Sequence, residues 1–469
     1  MTDPATRLAD LVIEGGYPSA ESIGALYDEL DFQRAVQVYL WALPAVGLQA
    51  MLDGARAAYG ADATTVPIFE DFLDAKTIVA TGNGQSIYSL VNIDLTDTGP
   101  MVLEAPPHVL GFIMGLWQYP LEDVGPLGPD KGRGGSFLLV PPDHQGELPD
   151  GYFVVRCDAY ALNACLRGFV QDGRTEPAVE QIKKMRVYPL AAKDDPPPMT
   201  FVNASGVPAN IFLIGDDLST IAYFEILARI VEREAVREKD KVMLGLAASL
   251  GIAKGQPFQP DERMRAILAN AARVGSAMAA AQSYASRYPD RHTWPGAQWE
   301  ELFQTKDATL ENDDYVEIDA KTTLYYQAMG ASKAALLSVV GAGSKYSAAF
   351  RDADGQWLQG ARSYRLRVPP DVPVKDFWSV TVYDAVTRSM IDNEQGVTGR
   401  DSYQATLATN DDGSLDLYFG PSPPESREDN WVQTNPGVGF FLYFRWYGPL
   451  PPYFDKTWRL PDVERLDAD

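Results

Sequence analysis

Apolar side chains recur at near-helical spacing between residues 19 and 60, where Val36, Tyr39, Leu40, Leu43 and Leu48 fall towards one face. Ser19 or Ser22 is placed to cap a first short helix, and Phe32-Gln33-Arg34-Ala35 opens a second. Pro44, which lacks an amide hydrogen and crowds the preceding turn, predicts a bend or an end there. From about residue 77 the period shortens. Residues 86–95, 101–104, 136–140 and 152–157 are short runs rich in Val, Ile, Leu, Phe or Tyr, separated by Gly-Pro, Pro-Pro and Gly-Gly pairs. That pattern predicts strands of a β-sandwich or barrel-like lobe. Residues 174–188 read as a helix running into a strand, with Ile182 and Met185 on one face, and an Asp- and Pro-rich loop follows at 194–198.

The middle of the chain returns to helical spacing. Tyr223, Ile226, Leu227 and Ile230 form one apolar stripe, and Val242, Leu244, Leu246 and Leu250 form another that Gly251 and Gly255-Gln256-Pro257 end. Asp261 caps a third helix whose face carries Met264, Ile267, Leu268, Ala271 and Gly275. From about residue 318 strands dominate again, at 364–368, 377–383, 415–419 and 440–447. Asp352-Ala353-Asp354-Gly355 and Asp411-Asp412-Gly413 supply turn chemistry between them. The expected fold is a multidomain α+β protein. Two mainly antiparallel, jelly-roll-like β-sandwich lobes (20–195, with leading helices, and 318–466) are joined by a helical segment at 210–315.

Composition narrows the function classes. With 64 acidic against 40 basic residues the net charge is -24, which repels phosphate backbones and anionic lipid, so nucleic acid and membrane surfaces are not expected partners. The two cysteines, Cys157 and Cys165, make neither a disulfide framework nor a zinc site and read as core residues in a strand followed by a helix start. The N-terminus shows no basic segment followed by an apolar core, and no stretch reads as a membrane span. A cytoplasmic location is the expectation.

The usual chemical signatures are missing. His108, His144 and His292 are scattered among loop residues without metal-ligand spacing, and no Gly-x-Ser-x-Gly elbow occurs. The glycine-rich run 128–135 leads into a strand, not a helix, and reads as a wide turn, with Lys131 and Arg133 as alternative anion holders. Polar side chains inside apolar strand motifs are more informative, because a buried charge requires a partner or a purpose. Tyr88 and Asp94 occur this way in the first lobe; Tyr383, Asp384, Arg388, Arg445 and Tyr447 do so in the second. Such residues are either structural ion pairs or site groups. Trp117, Trp378, Trp431 and Trp446 flank the same motifs, as core residues or as walls of an apolar pocket.

These strings resemble a bacterial family whose two halves are domains of unknown function, 1254 at the N-terminal side and 1214 at the C-terminal side. The second half is carried by Phe377-Trp378-Ser379-Val380-Thr381-Val382-Tyr383-Asp384, Thr387-Arg388-Ser389-Met390, Asn430-Trp431-Val432-Gln433-Thr434 and Arg445-Trp446-Tyr447-Gly448-Pro449. The first half is carried by Tyr88, Asp94-Leu95, Gly99-Pro100, Gly128-Pro129-Asp130-Lys131-Gly132 and Leu139-Val140-Pro141-Pro142. The likeness runs from about residue 20 to 466. It implies β lobes joined by helices and implies no reaction. Where many relatives have an Asn-x-Asp-Thr run, this chain reads Asn83-Gly84-Gln85-Ser86, so an amide stands in place of a carboxylate.

The leading expectation is an enzyme acting on a small, largely apolar organic molecule by hydrolysis, hydration or elimination. Tyr88 and Tyr383 are the candidate proton donors, Asp384 the base or orienting group, and Arg445 the anion holder. Asn83, Gln85, Trp117, Trp378, Arg388 and Trp431 are the candidate substrate contacts. No metal ligands are assigned, and no cofactor is named by the sequence. A non-catalytic small-molecule binder and a self-assembling structural protein are the alternatives, and homo-oligomerisation is left open.

Overall fold

The computed structural model describes residues 11–168, 170, 174–336 and 338–466. Its centre is Ala20–Tyr59 (α1), one 40-residue helix. Ser19 caps it by accepting from Ser22 N, and Gly60, in the left-handed region at φ 69°, ends it. Pro44 does not end the helix, one of the two outcomes its sequence allows. That stretch of α1 is buried by packing from several sides, and the Pro44 carbonyl accepts from Gln118 Nε2 at 2.8 Å, so tertiary contacts override the local penalty.

The helices Ala222–Arg233 (α2), Lys241–Ser249 (α3), Glu262–Tyr284 (α4) and Ile318–Gln327 (α5) surround α1. Tyr39 of α1 stacks on Tyr223 of α2 at 3.9 Å. Asp261 caps α4 by accepting from Met264 N at 2.7 Å, as its sequence predicts. The stretch from 318, read as the start of strands, is first a helix. Residues 321–327 are all buried, so no amphipathic stripe betrays the period. The expectation that no segment is apolar enough to span a membrane also needs correction. By length and composition α1 passes that test, but 78% of its most apolar stretch is buried within the protein, as in the core helix of a soluble fold.

In the first lobe the strands are Thr65–Ile68 (β1), Ile87–Asp94 (β2), Met101–Ala105 (β3), Val109–Gly115 (β4), Pro120–Val124 (β5), Gly135–Val140 (β6), Phe153–Arg156 (β7), Ala161–Gly168 (β8), Arg186–Pro189 (β9) and Thr200–Asn203 (β10). They form a six-stranded sheet, β10-β1-β2-β8-β4-β5, and a four-stranded sheet, β7-β6-β3-β9. Ile87, Val91, Leu103, Phe137, Leu139, Leu162 and Leu166 fill the space between them. In the second lobe Trp299–Glu301 (β11), Ser344–Ala349 (β12), Tyr364–Val368 (β13), Val374–Asp384 (β14), Gly399–Asp401 (β15), Leu415–Gly420 (β16), Trp431–Gln433 (β17), Phe440–Pro449 (β18) and Glu464–Arg465 (β19) follow. Their sheets are β11-β12-β18-β14-β15 and β17-β16-β13-β19, around a core of Leu366, Val380, Val382, Leu417, Leu442 and Phe444. Pairing is mainly antiparallel, and the protein is a mixed α+β structure.

The segment around Cys165, read as a helix start, is the central strand β8. Its Ala, Asn and Cys residues lack the β-branched signature, and burial on both faces removes the alternation that marks a strand. Cys157 and Cys165 are both free and buried, in separate cores.

Side chains alternate across a strand, so each large sheet has a second inner face. Leu90 and Cys165 of the first sheet, much of α1, and Tyr383, Phe441 and Tyr443 of the second belong to one apolar cluster. The two large sheets therefore turn their second faces towards a shared helical layer. Residues 79–86 run from the first lobe across the second: Thr81 N donates to Arg388 O at 2.8 Å, and Val79 N donates to Ser389 Oγ at 3.3 Å.

Candidate functional site

Polar side chains gather where that strap crosses the facing sheets. On β18, Phe440, Leu442, Phe444 and Trp446 point into the second lobe's own core, so Tyr443, Arg445 and Tyr447 point the other way. Arg445 lies directly between Tyr346 of β12 and Ser379 of β14 in the sheet register. Its Nη1 donates to Thr381 Oγ1 at 3.0 Å, and its Nη2 donates to Tyr383 Oη at 2.6 Å and to Thr81 O at 3.2 Å. Tyr383 in turn donates to Gly82 O at 2.6 Å, and Asn83 Nδ2 donates to Tyr447 Oη at 2.7 Å. From the first lobe, Tyr88 of β2 pairs across the sheet with Arg167 of β8, whose guanidinium lies over the Tyr88 ring at 5.0 Å. Arg167 Nη2 donates to Ser86 Oγ at 2.8 Å. Tyr346 and Tyr447 act electrostatically on both arginines, which ties the two halves into one cluster.

The electrostatics are unusual for their sign. Several arginines elsewhere face carboxylates: Arg237 meets Asp158 and Asp240, Arg263 meets Asp28 and Asp31, and Arg291 meets Glu300. Among the described residues no carboxylate lies within ion-pair distance of Arg167 or Arg445. Burial opposes both charges; the raising influence of the neighbouring tyrosines belongs to their ionised forms, so at neutral pH the two guanidiniums stay protonated with no counter-charge from these phenols. Burial also raises Tyr88, Tyr383 and Tyr447 above the ordinary phenol range; Arg167 pulls Tyr88 back, and Arg445 does so for the other two. The phenols are therefore neutral donors at neutral pH. Arg167 Nε, Arg445 Nε and Gln85 Oε1 are buried without a hydrogen-bond partner.

The structure thus brings Asn83, Gln85, Tyr88, Tyr383, Arg445 and Tyr447 together. It does not bring the other candidates there. Asp384 Oδ1 accepts from Val386 N and Thr387 N, which holds the turn after β14. Arg388 donates to the carbonyls of Tyr326, Val386 and Leu213. Trp378 is in the second lobe's own core, stacked on Phe444. Trp431 donates to Gly420 O on the four-stranded sheet, and Trp117 packs against Trp41 beneath Arg237. Asp94 accepts from Thr96 N and Thr96 Oγ1 in a turn.

Two cluster members were missed, Arg167 and Tyr346. Arg167 is the one charge in the run Ala161–Gly168, the same signal that singles out Arg445, and it is legible once that run is read as a strand. A large open groove, about 1160 Å³ along α1 and α2 with Asp53, Glu225, Arg229 and Phe258 in its walls, lies elsewhere. So does a recess of about 300 Å³ beside Trp117. The accessible surface of the Tyr-Arg cluster comes from half-buried Gln85, Tyr88, Arg167 and Tyr346. Among the described residues no group of three or more His, Cys, Asp or Glu is arranged to hold a metal ion.

Fold and site together define a mixed α+β, mainly antiparallel protein with a Tyr-Arg cluster where residues 79–86 cross the sheets. Residues 64–189 match the family described as Protein of unknown function (DUF1254), and residues 343–451 match Protein of unknown function (DUF1214), so the chain carries both domains in the order its motifs imply. Most of the cluster falls within these two segments. No curated protein matches the chain. Among solved structures, the VPA0106 protein from Vibrio parahaemolyticus is similar over 93% of this chain and 100% of its own, with 18% identity and a TM-score of 0.53, a likeness of fold alone. A putative uncharacterized protein from Burkholderia cenocepacia covers 98% of each chain at 11% identity and a TM-score of 0.41.

Proposed function

We propose that the protein is an enzyme acting on a small organic molecule with a largely apolar body, bound between the two large sheets. The observation that carries this reading is convergence: Tyr88 from one lobe and Tyr383 and Arg445 from the other, each a polar residue in an apolar strand, gather at one site with Asn83 and Gln85. Neutral tyrosines next to an arginine can hand a proton to a substrate oxygen or carbon, and the cation stabilises the phenolate left behind. Tyr383, which accepts from Arg445, is the proton donor once the bond it gives to Gly82 O is released to the substrate, and Tyr88 is the second hydroxyl. Hydration, elimination and hydrolysis are the reactions open to these groups. In the same reading each pair of sheets is a jelly-roll-like sandwich, with the lobes at 20–195 and 318–466 and the helices of 210–315 between them.

Asp384 is engaged in its turn, and among the described residues no carboxylate within ion-pair reach of the arginines supplies a base. That favours, as a second reading, a binder that stores or senses the same molecule. Turnover separates the two. Against an identified substrate, Tyr383→Phe and Tyr88→Phe are each expected to lower kcat by about 100-fold or more, the usual weight of a general acid, while leaving the melting temperature within a few degrees. Unchanged turnover in both variants removes the catalytic reading.

A further inference from the structure

We infer that the ligand of this site is an organic anion whose oxyanion head is held between Arg167 of the first lobe and Arg445 of the second. The inference rests on the Tyr-Arg cluster being the ligand site and adds the chemical class. A desolvated guanidinium is stable only when its charge and its donors are answered. Of the other buried arginines, Arg237 has Asp158 and Asp240, Arg388 spends its donors on three backbone carbonyls, and Arg400, with no carboxylate in ion-pair reach among the described residues, donates to Gly399 O and Trp431 O at the rim of the second lobe's sheets. Arg445 is 2% exposed and Arg167 half-buried; both face one cluster, and no carboxylate among the described residues answers either charge. Each also keeps its Nε without a partner.

Two cations turned towards one cluster, with phenols that remain neutral donors, are complementary to a carboxylate or phosphate group and to nothing cationic. The net charge of -24 repels anions at long range, so recognition must come from this local pair, inside the protein, where screening is weak. The aromatic faces at the arginines, Tyr88 under Arg167 and Tyr346 by Arg445, suit an apolar or aromatic body behind the charged head.

Sodium benzoate, phenyl phosphate and neutral benzamide serve as probes of the full chain, read by calorimetric titration and by Tm. Benzoate or phenyl phosphate is expected to bind the wild type, and the stronger of the two identifies the head group. Arg167→Met is expected to raise the Kd of that anion at least tenfold and Arg167→Lys to raise it less. Without ligand, Arg167→Met is expected to melt no lower than the wild type, because an unanswered buried charge has been removed. Arg445→Met repeats the binding test from the other lobe, and should it fail to fold, the Arg167 pair decides. Benzamide binding as well as the anions, with Arg167→Met indifferent, overturns the anion inference and leaves the small-molecule site standing. Failure of all three probes to bind overturns both.

Discussion

Replacing Arg388 by methionine is expected to lower the unfolding free energy by about 4 kcal/mol, the scale set by leaving several buried acceptors unanswered. The side chain is 1% exposed and lies between the rings of Phe212 and Tyr326. Its guanidinium donates to Tyr326 O at 3.1 Å, to Val386 O at 2.7 Å and to Leu213 O, so one residue ties α5, the turn after β14 and the segment before α2. Methionine fills part of the volume but donates nothing. Urea unfolding monitored by tryptophan fluorescence measures the change, and a difference below about 1 kcal/mol contradicts the structural role. Arg388 and Arg167 both look like site residues by charge alone. Their acceptors separate them, and the two methionine variants are expected to shift stability in different directions.

Lys321→Met is expected to stabilise the protein at neutral pH, by about 2–3 kcal/mol. Lys321 is 6% exposed on α5, and its Nζ lies 5.3 Å from the Tyr119 ring, which Lys239 and Arg237 also approach. Arg237 and Lys239 have carboxylate partners in Asp158, Asp240 and Glu311; Lys321 forms no salt bridge among the described residues. Burial first, and then Arg237, push its ammonium down from 10.5 to about 8. The depressed value fixes the sign: between about pH 8 and 10.5 the unfolded chain binds the extra proton, so wild-type stability rises with pH through that window. Methionine removes both the deficit at pH 7 and this part of the rise. Lys345, also lowered by burial, supplies a slope of the same sign that the variant keeps. A less stable Lys321→Met protein, or one with the wild-type pH slope intact, contradicts the argument.

Much of the scaffold is legible in the sequence because local rules and tertiary packing agree there. The Asp261 cap of α4, the alternation in β13 and the Val- and Phe-rich runs of β14 and β18 each predict what forms. Legibility fails where burial on every side erases the pattern, as in α5 and β8, or where packing carries a helix through a proline, as in α1. The candidate site follows the same division. A polar residue in an apolar strand is conspicuous, so Tyr88, Tyr383 and Arg445 could be read directly. Which face it uses depends on register, and that is why Trp378, one residue from Ser379, belongs to the opposite core. Asp384 and Arg388 follow the same motif strand, but a turn diverts both to backbone partners. Arg167 was hidden only because its strand was.

The most direct test of a ligand site between the lobes is native mass spectrometry of the purified chain, followed by denaturing the same sample to release and identify whatever was bound. The account predicts a small organic anion carried by, or readily loaded into, the wild type and lost from Arg167→Met. A wild-type chain that carries no such molecule and takes up none from a panel of organic acids contradicts it. So does a bound molecule that Arg167→Met and Tyr383→Phe both retain in full.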